Sequence, residues 1–124
     1  MYNEPMTRRL ARLSSEAIEL VAARFRILGE PVRIRILQEL AAGERSVGDL
    51  VEVVGSTQPN VSKHVRILQE AGLLTRRQVG TVVYCSIADP SVFDLCDAVC
   101  GSIKSRLEAG ARLAAQLRQG RARK

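Results

Sequence analysis

Polar side chains able to hydrogen-bond to bases or phosphates are concentrated in residues 57–68. They are amides, hydroxyls, an imidazole and cations: Gln58, Asn60, Ser62, Lys63, His64 and Arg66. Amides and hydroxyls suit base edges in a major groove, and cations suit phosphate oxygens. Val61, Val65 and Leu68 recur between them at helical spacing, so one helix face is expected to be buried. The pattern favours a helix that reads duplex DNA through its remaining faces.

Boundary signals frame this helix and place a β-hairpin directly after it. Thr57 is a suitable N-cap, and Gly72 is a suitable C-terminal stop. Residues 73–79 and 81–87 then alternate in polarity and are rich in β-branched side chains, with Gly80 at the reversal. The sequence therefore predicts a recognition helix followed by a wing.

The charge distribution agrees with an anionic partner. The chain carries a formal net charge of +6 and a sequence pI of about 9.9. Lys63, Arg66, Arg76 and Arg77 face only one acidic residue within residues 57–81, Glu70. Arg76 and Arg77 are expected to hold phosphates from the wing. Aromatic residues make up only 3% of the chain, which disfavours single-strand binding by base stacking.

The three cysteines form a second set of candidate functional residues. Cys96 and Cys100 are four residues apart, which places them on one helical face. Cys85 lies in the second wing strand, shortly before that helix. Three soft thiolates without a hard ligand suit a thiophilic ion, with As(III) or Sb(III) preferred and cadmium, lead or copper(I) as further candidates. Two other interpretations stay open: the cysteines are structural, or they form an oxidation or sulfur switch. No constitutive cofactor is expected.

The remaining apolar periodicity predicts a mainly α-helical chain with a β-hairpin wing. Besides the recognition helix, we expect helices at residues 8–28, 31–42, 47–54 and 90–117. In the second of these, Ile34, Leu37 and Ala41 are the expected buried residues, with Ile36 and Leu40 alongside. One winged helix-turn-helix domain is expected over residues 8–118, with flexible tails at 1–7 and 119–124.

The first and last helices are both amphipathic, and a small domain cannot cover both of their apolar faces. We therefore expect two chains to form a two-fold dimer through their N- and C-terminal helices. Such a dimer places two recognition helices about one turn of DNA apart, which matches an inverted-repeat operator.

Several other classes of protein are disfavoured. Ser62 and His64 have no orienting acid nearby, so we expect no enzyme activity. No apolar run is long enough to cross a membrane, and the arginine-rich N-terminus lacks the apolar segment of a signal peptide. An odd number of cysteines fits a cytoplasmic protein with reduced thiols.

Four motifs resemble the ArsR/SmtB family of winged-helix repressors over about residues 20–105. They are Arg33-Ile-Arg-Ile-Leu37, Gln58-Pro-Asn-Val-Ser-Lys-His-Val-Arg-Ile-Leu68, Glu70-Ala-Gly-Leu-Leu74 and Gly80-Thr-Val-Val-Tyr84. The resemblance implies a homodimer that represses its operon and leaves the DNA when an inducer binds, typically a metal ion, arsenite or another thiophile.

The family's known sensing sites do not transfer onto this sequence. The Cys-x-Cys pair of the third helix has no counterpart in residues 49–53. The histidines of the last-helix zinc site are absent, since His64 is the only histidine in the chain. The sulfur-sensing pair needs a cysteine on the second helix, and residues 34–40 contain none. The expected inducer site is therefore Cys85, Cys96 and Cys100. The alternatives are an inducer-independent DNA-binding protein and a dimeric interaction module without DNA binding.

Overall fold

A computed structural model of the chain describes residues 12–122, and side-chain surroundings for residues 12–119. The chain divides between Asp89 and Pro90 into two compact units. In the first unit the elements are α1 (Ser15–Leu28), α2 (Pro31–Leu40), β1 (Arg45–Ser46), α3 (Val47–Val54), α4 (Gln58–Glu70), β2 (Leu74–Val79) and β3 (Val82–Ile87). The second unit contains α5 (Ser91–Ala122).

Helix α1 begins later than its apolar spacing predicted. Ser14 is the N-cap and accepts a hydrogen bond from the backbone N–H of Ala17 at 3.1 Å. This cap satisfies one of the first-turn donors and starts the helix at Ser15. Leu13 therefore lies before the helix, and the expected helical residues 8–11 lie outside the described part of the chain.

The buried face of α2 differs from the predicted one at Ile34 and Ala41 only. Ile36, Leu37 and Leu40 are buried, whereas Ile34 is 44% exposed and Ala41 follows the helix as its C-cap. Apolar residues are so close together in this segment that the sequence fits two alternative buried faces of the helix equally well. Tertiary packing selects between them, because α2 turns Arg33 and its neighbours towards α4.

Helices α3 and α4 form the predicted helix-turn-helix. Ser46 and Thr57 are their N-caps, each accepting from the backbone N–H three residues later. Gly55 ends α3 with φ 72°, a left-handed conformation that a side chain would strain. Val61, Val65 and Leu68 of α4 are buried as the helical spacing predicted, and Leu50 of α3 is buried as well. Burying each such side chain contributes about 1.5–3 kcal/mol.

A three-stranded antiparallel sheet closes the first unit, in the order β1–β3–β2. Strand β1 was not predicted from sequence, because two residues are too short to show alternation. It pairs Arg45 with Cys85 and makes β3 the central strand. The wing strands were predicted correctly to within a residue, and Gly80 with φ 61° makes the turn between them.

Helix α5 is longer than predicted. It continues through Ala122, so residues 119–122, expected to be part of a flexible tail, are helical. Many of its apolar side chains are exposed, including Ile103 at 54%, Leu107 at 69% and Leu117 at 64%. Over the described residues, no helix combines the length and apolar character that crossing a membrane requires.

Candidate nucleic-acid interface

The two wing arginines lie on opposite faces of the hairpin. In the β2–β3 register, Arg76 pairs with Cys85 and Arg77 pairs with Tyr84. Consecutive strand residues point to opposite faces, so only one arginine of the pair can face the recognition helix α4. That residue is Arg76, because it lines the larger groove between the hairpin, α3 and α4 without Arg77. Both arginines line a smaller groove with Gln69 of α4.

The larger of these grooves, with a volume of about 340 Å³, lies between the start of α3, the recognition helix and the wing. Gln58 and Ser62 line it from successive turns of α4, and Arg76 lines it from β2. Its other lining residues are Ser46, Val47, Gly48, Val65, Thr81, Val82 and Val83. An amide, a hydroxyl and a guanidinium therefore converge on one open groove, with chemistry suited to a nucleic-acid strand.

Arg77, a predicted phosphate contact, is paired with protein groups in the structure. Its Nε and Nη2 donate to the two carboxylate oxygens of Glu44 at 2.8 and 2.7 Å. Its guanidinium also stacks 4.8 Å from the centroid of the Tyr84 ring. The hydrogen bonds from Arg77 lower the pKa of Glu44, so the carboxylate stays ionised. Glu44 thus occupies two of the guanidinium nitrogens that could otherwise contact a phosphate.

The prediction that His64 reads DNA is also corrected by the structure. The side chain belongs to the buried face of α4 and is only 6% exposed. Its Nδ1 accepts a hydrogen bond from Arg33 Nε at 3.0 Å. Because His64 follows Val61 by three residues, it shares the helix face that packs inward. The position of His64 on the helix places its side chain in the interior, which its residue type alone does not indicate.

The other predicted contacts on α4 lie outside the groove. Lys63 and Arg66 are exposed, as phosphate contacts must be. Asn60 is half-buried, and its Nδ2 donates to Ser56 Oγ at 2.8 Å. A bidentate contact from an amide to adenine uses both its nitrogen and its oxygen. Because Nδ2 carries two hydrogens, Asn60 can donate one to Ser56 and still offer the other, with its oxygen, to such a contact.

Arg24 is a supporting residue that the sequence did not single out. It lies on α1 and its Nη2 donates to the backbone oxygen of Ala71 at 3.0 Å. This bond satisfies a carbonyl at the C-terminal end of α4, where cations are favourable. Arg24 Nη1 also lies 3.9 Å from Asp89 Oδ2. No periodicity marks such a residue, because its role depends on a partner 47 residues away.

The three cysteines have different surroundings. Cys85 is completely buried on the central strand, and burial raises the pKa of its thiol. Cys96 is half-buried and Cys100 is exposed, four residues apart on α5. Within residues 12–122, no three His, Cys, Asp or Glu side chains gather closely enough to hold a metal ion. The three-sulfur site of Cys85, Cys96 and Cys100 stays a prediction.

The opposite faces of the wing predict unequal effects for its two arginines. Arg76→Gln should weaken binding to every duplex and reduce the slope of log affinity against log salt by about 0.9 per lost phosphate contact. Arg77→Gln removes the same charge but should leave that slope unchanged. Fluorescence anisotropy over a series of salt concentrations measures both. Equal slope changes in the two variants would show that the face of the hairpin on which an arginine lies does not determine whether it contacts phosphate.

Comparisons with known proteins agree with this architecture. Residues 28–77 match a family model described as a helix-turn-helix domain. The probable mercury resistance operon repressor of Streptomyces lividans is 39% identical over 71 residues, which are 57% of this chain and 57% of that protein. The uncharacterized HTH-type transcriptional regulator Rv0081 of Mycobacterium tuberculosis is 37% identical over 83 residues, covering 66% of this chain and 73% of that protein.

Solved structures of similar proteins also agree with this architecture. The crystal structure of M. tuberculosis Rv0081 superposes with a TM-score of 0.66 at 35% identity, over 77% of this chain and 96% of that one. A homodimeric winged helix-turn-helix domain of Mb0332 from Mycobacterium bovis, a possible ArsR-family regulator, gives 0.66 at 30% identity over 79% and 94%. The AntR antimony-specific transcriptional repressor gives 0.69 at 26% identity over 78% and 88%.

Proposed function

We propose that this chain is a homodimeric repressor that binds an inverted-repeat operator in the cytoplasm. It belongs to the ArsR/SmtB family of winged helix-turn-helix transcriptional regulators. A thiophilic ion bound by cysteines, with As(III) or Sb(III) preferred, releases it from the DNA. The chain spans only 57% of the length of the mercury resistance repressor. The activity of that whole protein therefore supports this proposal only through sequence similarity.

The groove between the recognition helix and the wing is the observation that carries the DNA-binding proposal. Gln58 and Ser62 face it from one side and Arg76 faces it from the other. A recognition helix in a major groove leaves a sugar-phosphate strand beside it, where the wing can hold it. Amide and hydroxyl groups then contact base edges or phosphates, while Arg76 neutralises a phosphate. Lys63 and Arg66 add exposed positive charge to the same helix.

Exposed apolar residues support a dimer through the two terminal helices. On α1, Leu20 is 73% exposed and Phe25 is 52% exposed. On α5, the exposed apolar residues are Val99, Ile103, Leu107, Leu113 and Leu117. Exposed apolar patches of this kind usually mark an interaction surface. The Mb0332 domain is homodimeric, and a second copy of this chain is the occupant we propose for both helices.

Cys96 and Cys100 are the proposed centre of the inducer site. Both are free thiols on neighbouring turns of α5, where their Cβ atoms lie about 5–6 Å apart. Soft thiolates favour thiophilic ions over hard cations. The mercury and antimony named in two relatives belong to the same chemical class. Cys85 is the proposed third ligand, and it must leave its buried position to serve.

The burial of Cys85 also favours a second candidate function. A buried thiol with a raised pKa is a poor nucleophile and metal ligand, because the thiolate is disfavoured. If all three cysteines are structural, the chain is an inducer-independent repressor. If only Cys96 and Cys100 react, oxidation or a sulfur species is an alternative inducer. DNA affinity that is indifferent to thiophile, reductant and oxidant would select the first of these alternatives.

Selection of duplexes from a randomised library tests the DNA-binding proposal. The wild-type protein under reducing conditions should enrich an inverted repeat whose half-sites are about one helical turn apart. Ser62→Ala should weaken binding to the enriched duplex more than binding to a scrambled one. Enrichment of no sequence, with no duplex bound even at low salt, would contradict the proposal.

A further inference from the structure

The only histidine in the chain connects the recognition helix α4 to α2 inside the first unit. Arg33 Nε donates to His64 Nδ1 at 3.0 Å, and Arg33 Nη1 donates to the backbone oxygen of Ile27 at 3.0 Å. One guanidinium therefore joins the end of α1, the first turn of α2 and the middle of α4. Arg33 and His64 lie away from the groove of Gln58, Ser62 and Arg76, so the DNA contacts do not account for this connection.

The hydrogen bond from Arg33 requires a neutral imidazole. Because Nδ1 accepts, it carries no proton, and the ring proton is on Nε2. Nε2 lies 3.9 Å from Glu30 Oε2, an oxygen that already accepts from the backbone N–H of Arg33 at 3.1 Å. Protonation of Nδ1 would replace the hydrogen bond with two neighbouring cations inside the fold.

We propose that Arg33 and His64 are positioning residues that hold the recognition helix on α2 only while the imidazole is neutral, so that acid weakens DNA binding without altering any DNA-contacting side chain. The inference rests on the proposed DNA-binding function. It assigns a pH response to a residue that sequence reasoning had placed in the groove.

The charged groups around His64 determine the direction of the response. They are Glu30 before α2, Arg33 on α2 and Lys63 on α4 itself. Burial lowers the pKa of His64 most, Glu30 raises it, and Arg33 and Lys63 lower it, with a net lowering. The contact of neutral His64 with Arg33 therefore contributes fully to stability above a pH of about 6.5, the ordinary pKa of imidazole. This contribution is lost as the pH falls through the lowered pKa of His64 in the folded state. Below that point, affinity should fall by up to about tenfold per pH unit for each proton taken up.

Imidazole ¹⁵N NMR tests the contact directly, since a single histidine needs no assignment. At pH 7.5 the wild-type protein should show unprotonated Nδ1 and protonated Nε2, with a titration midpoint below the ordinary value. Arg33→Gln should shift the midpoint upwards and mix the tautomers. Arg35→Gln, which removes an exposed arginine from the same helix, should change neither. A protonated Nδ1 at pH 7.5, or equal spectra for Arg33→Gln and wild type, would overturn the inference.

DNA affinity measured against pH on the library-selected duplex provides the functional readout. His64→Asn keeps an acceptor at the position of Nδ1 but cannot titrate, so it should bind at pH 7.5 and lose the acid-side fall. His64→Leu should bind weakly at every pH, with circular dichroism confirming that it folds. If His64→Asn falls in acid as wild type does, the positioning role is wrong. If no duplex is bound at any pH while the NMR result holds, the proposed function fails and the structural contact stands.

Discussion

Replacing Leu107 with glutamate is expected to convert the protein to monomers and abolish operator binding. Leu107 is 69% exposed on α5, which is unfavourable for so large an apolar side chain unless a partner covers it. Burial of one leucine contributes about 1.5–3 kcal/mol, and a two-fold interface buries it twice. The variant should therefore weaken dimerisation by about 3–6 kcal/mol, or 10²–10⁴-fold. Both half-sites then lose the fixed spacing that an inverted repeat requires.

Ser105→Glu is the matched control for this prediction. It adds the same charge at an exposed position two residues earlier on α5, away from the apolar stripe. Sedimentation velocity at micromolar concentration measures assembly, and anisotropy measures DNA affinity. The control should remain dimeric and bind DNA. A Leu107→Glu protein that stays dimeric with full affinity would exclude α5 from the interface.

Replacing both Cys96 and Cys100 with serine is expected to remove the response to thiophiles while leaving operator binding intact. Serine preserves the size of the side chain but does not supply a soft thiolate ligand. An allosteric coupling between inducer and DNA is typically about 1–3 kcal/mol, so the wild-type affinity should fall about 5–150-fold. The variant should show no such fall, and its folding should be little affected because Cys100 is exposed and Cys96 is only half-buried.

Cys85→Ser separates the ligand and structural interpretations of the third thiol. If Cys85 provides the third sulfur, this variant should respond more weakly to arsenite than wild type while keeping its fold. Burial of a hydroxyl in place of a thiol costs stability, so the thermal midpoint must be compared alongside. An unchanged arsenite response would limit the site to Cys96 and Cys100. If Cys85 is the third ligand, X-ray absorption on the arsenite-loaded wild-type protein should show sulfur-only coordination.

The architecture could be predicted from sequence wherever a local signal fixed it. Thr57 and Gly72 mark the two ends of α4 through their own backbone chemistry, and the structure confirms both. The buried stripe of α4 was also correct for Val61, Val65 and Leu68, because polar residues separate the apolar ones clearly. In α2 the apolar residues adjoin one another, and the sequence then contains no basis for choosing the face.

The candidate site was predicted less completely because side-chain pairing decides it. Arg76 and Arg77 are identical in type and adjacent in sequence, yet only Arg77 is paired with Glu44, 33 residues away. His64 has the chemistry of a DNA contact, and Arg33, 31 residues away, holds it in the interior. Strand alternation in residues 74–79 could have separated the two arginines. The partners Glu44 and Arg33 could not be found without the tertiary fold.

Titration of the protein–operator complex with thiophiles is the measurement that tests the central claim most directly. The complex of wild-type protein and the selected duplex is followed by anisotropy under reducing conditions while arsenite, antimonite, cadmium, zinc or a sulfane-sulfur donor is added. Release by arsenite or antimonite, with no release by zinc, is the predicted result. A complex that persists with both metalloids, or a Cys96→Ser, Cys100→Ser protein that releases DNA as readily as wild type, would contradict the account.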